Sequence, residues 1–387
     1  MRETRPPFWY PVWRAEIAHQ NTRFPKRPAK GETILTIPER YTELRDVIGE
    51  LDRLAHEGRF SGVMRLDQHG DTVFEQAYGL AHRAHVVPNT LQTRFGLASG
   101  TKVFTALTVL SLAEEGALRL DSAARELLGD DLPLIDERVT IEHLLAHRSG
   151  IGDYLDEDEH HGPNDELMSL PVQRLTTTQQ YLPMLDGRPM KFAPGTDFSY
   201  CNSGYVVLAL LAERCSGLPF GQLVQERVCV PGGLTRTAFL RSDQLPGDAA
   251  TGYLSPPLED RSNVFHLPIC GSGDGGLYST VQDIHTLWNA LSSGSLLPER
   301  WVAQMWRPRS NLPSGTGYGL GLWLLPDQRS VPDQRSVSKH FGARLQGLDA
   351  GSSFDSVHLP GRNATFSVIS NTADGAWPLA RLLGEHV

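Results

Sequence analysis

Apolar and polar positions change period several times along the chain, and the changes divide it into segments. Tyr41 to Glu57 carries helical spacing, which predicts an amphipathic helix. Gly62-Val-Met-Arg-Leu and Thr72-Val-Phe-Glu-Gln-Ala-Tyr alternate instead, on either side of His69-Gly70-Asp71, as the two strands of a hairpin would. From Val103 to Gly116 the run is almost continuously apolar and made of good helix formers, so a mostly buried helix is expected, ending at the glycine. Leu118 to about Leu254 gives helical patches broken by Pro/Gly/Asp loops, including the acidic stretch from Asp153 to Glu166. Gly275-Gly-Leu-Tyr-Ser-Thr then leads into Val281-Gln-Asp-Ile-His-Thr-Leu-Trp, a loop and helix with Thr280 as the cap. Tyr318-Gly-Leu-Gly-Leu-Trp-Leu-Leu and Thr365-Phe-Ser-Val-Ile-Ser-Asn return to strand composition.

This order predicts one antiparallel sheet built from both ends of the chain, with helices around it and a mostly α-helical lobe inserted. The expected boundaries are an irregular arm at 1–40, an α/β (α+β) domain from 41–117 and 259–387, and a helical domain at 118–258. At 387 residues, two lobes are the better expectation than a single core. The hexapeptide Pro-Asp-Gln-Arg-Ser-Val occurs in tandem from Pro326 and Pro332, too short for a solenoid repeat and read as a surface loop lengthened by duplication.

Composition narrows the function classes. A net charge of −9 argues against a nucleic-acid surface, because phosphate binding needs clustered Lys and Arg. No stretch approaches the roughly 20 consecutive apolar residues of a membrane span. The first twenty residues carry charges and prolines where a signal peptide needs an apolar core, so a cytoplasmic protein is expected. Cys201, Cys215, Cys229 and Cys270 lack CxxC spacings and read as buried free thiols.

The chemistry is carried by two short constellations. Ser99-Gly-Thr-Lys102 sets a hydroxyl and an amine three residues apart at the start of the buried helix, where both project from one face. A serine needs a base to become a nucleophile, and a lysine serves when desolvation or a neighbouring cation lowers its pKa. The helix start also offers unpaired N–H groups to a developing oxyanion. Ser336-Val-Ser-Lys339 has the same spacing but no apolar helix after it, and is read as chance. Tyr200-Cys-Asn202 lies in a Pro/Gly loop that runs into a helix-like segment from Tyr205 to Gly217. A phenol with its pKa lowered by cations shuttles protons, and an amide holds both a lysine and a substrate carbonyl.

With Thr140-Ile-Glu-His-Leu-Leu-Ala-His-Arg-Ser-Gly-Ile, Pro194-Gly-Thr and Gly275-Gly-Leu-Tyr-Ser-Thr beside them, these motifs resemble the serine β-lactamase and penicillin-binding-protein superfamily. The closer likeness is to its class C-like branch of esterases, D-amino-acid peptidases and transacylases, from about residue 60 onward. The resemblance implies a β-lactamase-like fold, an acyl-enzyme on Ser99, no cofactor and a small ester or amide as partner, with no oligomeric state implied. It also implies a third motif, Lys or His-x-Gly on a strand, for which His340-Phe341-Gly342-Ala343 is the best match. On that reading Ala343 donates its N–H to the oxyanion beside Ser99, His340 relays protons, and Gly342, Arg344 and Tyr154 line the substrate cleft. Phe341 departs from the family's hydroxyl-bearing residue.

A metal site is not expected. His143 and His147 are four apart, but Glu142 precedes the first instead of following it, and His160 and His161 sit in an acidic loop. Two rivals to a hydrolase remain: an acyltransferase using the same acyl-enzyme, and a non-catalytic acyl-binding sensor.

Overall fold

The computed structural model describes residues 39–58, 60–157, 168–255, 261–312, 314–326 and 341–387. Most of the N-terminal arm, the duplicated hexapeptide after Pro326, Ser336, Lys339, His340, His160 and His161 lie outside the described residues.

Eight strands form the main antiparallel sheet, in the order Asp71–Tyr78, Gly62–Gln68, Ala364–Ser370, Ser352–Leu359, Phe341–Asp349, Trp323–Pro326, Gly317–Tyr318 and Ser310–Asn311. The sheet is therefore made from both ends of the chain, as the pattern predicts. The first hairpin turns on His69 (φ 52°) and Gly70 (φ 87°), the left-handed pair that matches the twist of two-residue hairpins. The expected strand from Tyr318 to Leu325 is instead two strands. Gly321 adopts φ 79°, and Gly319 N–H bonds the Leu322 carbonyl at 2.9 Å, so the chain reverses there.

Strand alternation gives the sheet two apolar faces. One packs Met64, Leu66, Phe366, Val368 and Val357 against the helices Arg45–Glu57 and Ala376–His386. The other packs Val63, Ile369, Phe354, Leu345 and Ala343 into a second core that includes the helices Lys102–Glu114, Asn202–Ser216 and Val281–Ser292. Lys102–Glu114 is buried nearly all round, which explains its continuous apolar composition. Thr140 and Thr280 cap their helices by accepting the N–H of His143 and of Asp283. Among the described residues no single helix is long and apolar enough to cross a membrane. All four cysteines are free thiols, Cys201 and Cys229 buried.

Candidate active site

Ser99 sits in a 3-10 turn, Ala98–Thr101, that runs directly into the Lys102–Glu114 helix. The turn begins under strain: buried Ala98 has φ 48°, a left-handed conformation that is costly for a residue with a Cβ. The helical register brings Lys102 Nζ to 2.9 Å from Ser99 Oγ. Lys102 is 2% exposed, and its Nζ also lies 2.7 Å from Asn202 Oδ1 and 2.8 Å from the Asp274 carbonyl oxygen. Both of those oxygens only accept, so they take two N–H bonds of the amine. In a neutral amine the remaining direction holds the lone pair, and it faces Ser99 Oγ.

Burial pushes the Lys102 amine below its ordinary pKa, against the upward pull of Asp274, Glu157, Asp349 and Asp153. Burial pushes the Tyr200 phenol the other way, well above its ordinary value, despite its hydrogen bond with Ser99. The expectation that neighbouring cations lower Tyr200 is therefore reversed. Lys102 Nζ lies 4.8 Å from the ring centroid, yet desolvation first and the charge of Glu157 second set the direction of the shift. Burial thus favours the neutral form of both groups, the phenol of Tyr200 and the amine of Lys102.

Asn202 opens the Asn202–Ser216 helix, and the Asp153 carboxylate caps it, accepting the N–H of Asn202 at 2.6 Å and of Ser203 at 2.8 Å. The Asn202 amide returns a bond to the Leu155 carbonyl at 2.9 Å, so the 153–155 loop and the helix start hold each other. Tyr154 lies in that loop, but its hydroxyl donates to Asp274 Oδ2 at 2.5 Å. It braces the loop against the segment that carries Asp274.

The third constellation differs from expectation in register. Gly347, not Ala343, meets the nucleophile: a Cβ there would stand 2.9 Å from the nitrogens of both Ser99 and Gly100. Ala343 is four residues away along an extended strand, roughly 13 Å, and is fully buried opposite Leu324 and His358. Gly342 pairs with Leu325. Neither contributes an N–H beside Ser99. Leu345 and Gln346 line the small cavity at Ser99 together with Lys102, Tyr200, Tyr318 and Trp323. Arg344 borders that cavity too, yet its guanidinium bonds Asp355 at 2.6 and 2.8 Å. Both belong to the sheet face opposite the one Gly347 presents to Ser99.

Four carboxylates near the lysine, Asp153, Glu157, Asp274 and Asp349, belong to no motif in the sequence. Asp274 had a faint signal in the glycine-rich run Gly271 to Gly276, whose tight turn places its carbonyl under Lys102. Among the described residues no group of His, Cys, Asp or Glu is arranged to hold a metal ion. His143 Nδ1 instead accepts the Thr140 N–H at 3.3 Å.

A strained serine turn, a buried lysine and a tyrosine-asparagine loop between a helical region and an antiparallel sheet define a β-lactamase-type serine enzyme site. The chain belongs to the Beta-lactamase family, whose model matches residues 46–383. It is 26% identical to a putative penicillin-binding protein, PbpX, of Bacillus subtilis (strain 168), over 70% of this chain and 64% of that protein. It is 28% identical to esterase EstB of Burkholderia gladioli, over 76% of this chain and 82% of the esterase. The crystal structure of a penicillin-binding protein from Bacillus halodurans superposes with a TM-score of 0.78 at 32% identity, covering 87% of this chain and all of that one. The chain thus spans about two thirds of one curated relative and most of another.

Proposed function

We infer that the protein is a serine acyl-enzyme hydrolase of small esters or amides, with Ser99 as nucleophile, Lys102 as base and Tyr200 as proton relay. The observation that carries this reading is the bonding of Lys102: two acceptors lie against its amine, so that in the neutral form the remaining direction, toward Ser99 Oγ, is the lone pair. Ser99 Oγ attacks the substrate carbonyl carbon as its proton passes to Lys102 Nζ. The carbonyl oxygen becomes an oxyanion beside the Ser99 N–H at the start of the turn, since the Gly100 N–H is already given to the Leu97 carbonyl at 2.9 Å. Collapse expels the alcohol or amine, which takes a proton delivered from Lys102 through the Tyr200 hydroxyl. Water then attacks the acyl-serine and passes its proton through Tyr200 to Lys102; the acyl–Oγ bond breaks, Ser99 Oγ takes that proton back from Lys102 Nζ, and the acid leaves. The likeness to an esterase across most of that enzyme's length supports the choice of substrate class.

A fluorophosphonate probe tests the assignment. One covalent equivalent is expected on the Ser99 peptide by mass spectrometry, and none in Ser99→Ala. Lys102→Ala is expected to slow labelling by about 10²–10⁴-fold, the usual weight of general-base assistance. Labelling at Ser336, or a Lys102→Ala variant as fast as wild type, overturns the reading.

A further inference from the structure

His147 lies behind Tyr200, and nothing in the reaction just described uses it. It is 1% exposed and holds φ 56°, a left-handed backbone that a non-glycine residue keeps only when its surroundings impose it. What imposes it is the Tyr200 loop. The His147 carbonyl accepts the Ser199 N–H at 3.1 Å, and its Nδ1 accepts the Cys201 N–H at 3.0 Å. One residue therefore grips the chain immediately before and immediately after Tyr200. Its ring also packs on the phenol ring, with centroids 4.3 Å apart.

The bonds fix the protonation state of the imidazole. Because Nδ1 accepts from Cys201, the ring hydrogen is on Nε2, which lies 3.1 Å from the Tyr318 hydroxyl and donates to it. The Tyr205 hydroxyl donates to the Leu145 carbonyl at 2.8 Å, so at the 3.4 Å contact between the two phenols Tyr318 is the donor. The chain of donors runs one way and ends on a backbone carbonyl. Burial, and secondarily the charge of Lys102, hold His147 neutral by pushing its pKa well below the ordinary value.

We propose that His147 is a positioning residue for Tyr200: it holds the phenol oxygen at Ser99 by clamping the backbone on both sides and packing against the ring. It does not touch substrate. The inference rests on the relay role given to Tyr200 above, and a double-mutant cycle separates the two.

Acylation by a short-chain nitrophenyl ester is followed in Tyr200→Phe, His147→Gly and the double variant. Glycine tolerates the left-handed backbone, so His147→Gly removes the side chain without forcing the turn. Its kcat is expected to fall about 10–100-fold with KM within about twofold, the cost of a misplaced relay. In the Tyr200→Phe background the same change is expected to cost nothing further. His147→Asn puts Oδ1 where Nδ1 was and tolerates the same backbone, so it is expected to recover most of the loss. An equal loss in both backgrounds overturns the positioning role, as does a His147→Asn variant as slow as His147→Gly at matched thermal midpoint. A fully active Tyr200→Phe overturns the relay reading itself.

Discussion

A Cβ on Gly347 would stand 2.1 Å from the carbonyl oxygen of Leu97, closer than any two such atoms approach. The Phe341–Asp349 strand lies flush against the nucleophile turn only because this position has no side chain. Gly347→Ala must push strand and turn apart, and both obstructing groups are backbone. Labelling of Ser99 by a fluorophosphonate is expected to slow by about 10²-fold or more, since roughly 1 Å of misplacement costs that much. Gly342→Ala is the control. Its added Cβ meets the end of the Leu359 side chain at 2.5 Å, which can rotate away. A Gly342→Ala variant that labels more slowly than Gly347→Ala would return the third motif to His340–Ala343.

That register shows where the sequence stopped being legible. Ser99 and Lys102 could be paired because three residues on a helix is a local geometry, and the apolar run to Gly116 announced the helix. Tyr200 and Asn202 were marked by the Pro/Gly loop before a second apolar helix. The third constellation depends on which strand residue faces the serine, and local spacing does not set that. Pairing with Ser352–Leu359 sets it, placing Gly347 opposite Phe354, whose ring in turn packs where a Cβ of Gly100 would be. His340-Phe-Gly looked like the motif while the contact was made four residues later. The carboxylates were hidden for a related reason. Asp153, Asp274 and Asp349 carry no local pattern and meet only through tertiary structure. The sheet was legible in its first hairpin and last strand, whose alternation is clear. It was not legible at Gly321, where an apolar run reverses on one left-handed residue.

The half-buried Asp349 gives a pH dependence of stability. Removal from water raises its carboxyl to about 7, with Asp274 and Glu157 adding to the rise and Lys102 opposing it. An acid whose folded pKa lies above its unfolded value binds more protons when folded, so stability falls as pH rises between the two values. The wild type is therefore expected to lose stability from about pH 4 to pH 7 through this group. Asp349→Asn should remove that slope. Its urea midpoint is expected above wild type at pH 8, with the gap closing by pH 4. Parallel pH profiles for the two proteins would show that Asp349 is already ionised without cost.

Penicillins and cephalosporins are expected to be poor substrates despite the family's name. Family members that process these drugs use a Lys-Thr-Gly strand segment to receive the carboxylate on the fused ring. The segment facing Ser99 here reads Leu345-Gln346-Gly347, so an apolar side chain stands where the cation is needed. Arg344, the adjacent candidate, is committed to Asp355 on the other face of the sheet. Among the described residues, the charges that act on Lys102 are the carboxylates Asp274, Glu157, Asp349 and Asp153. An incoming anion thus loses hydration without gaining a partner, a net cost in a partly desolvated cleft. A neutral ester carries no such penalty and uses the same serine and lysine. In steady-state assays, a short-chain nitrophenyl ester is expected to exceed a chromogenic cephalosporin in kcat/KM by about 10²-fold, the equivalent of one unmade charged hydrogen bond. Asp349→Asn should narrow that gap by relieving part of the repulsion. If wild type turns over the cephalosporin with the higher kcat/KM, the charge argument fails and the cleft is that of an ordinary β-lactamase.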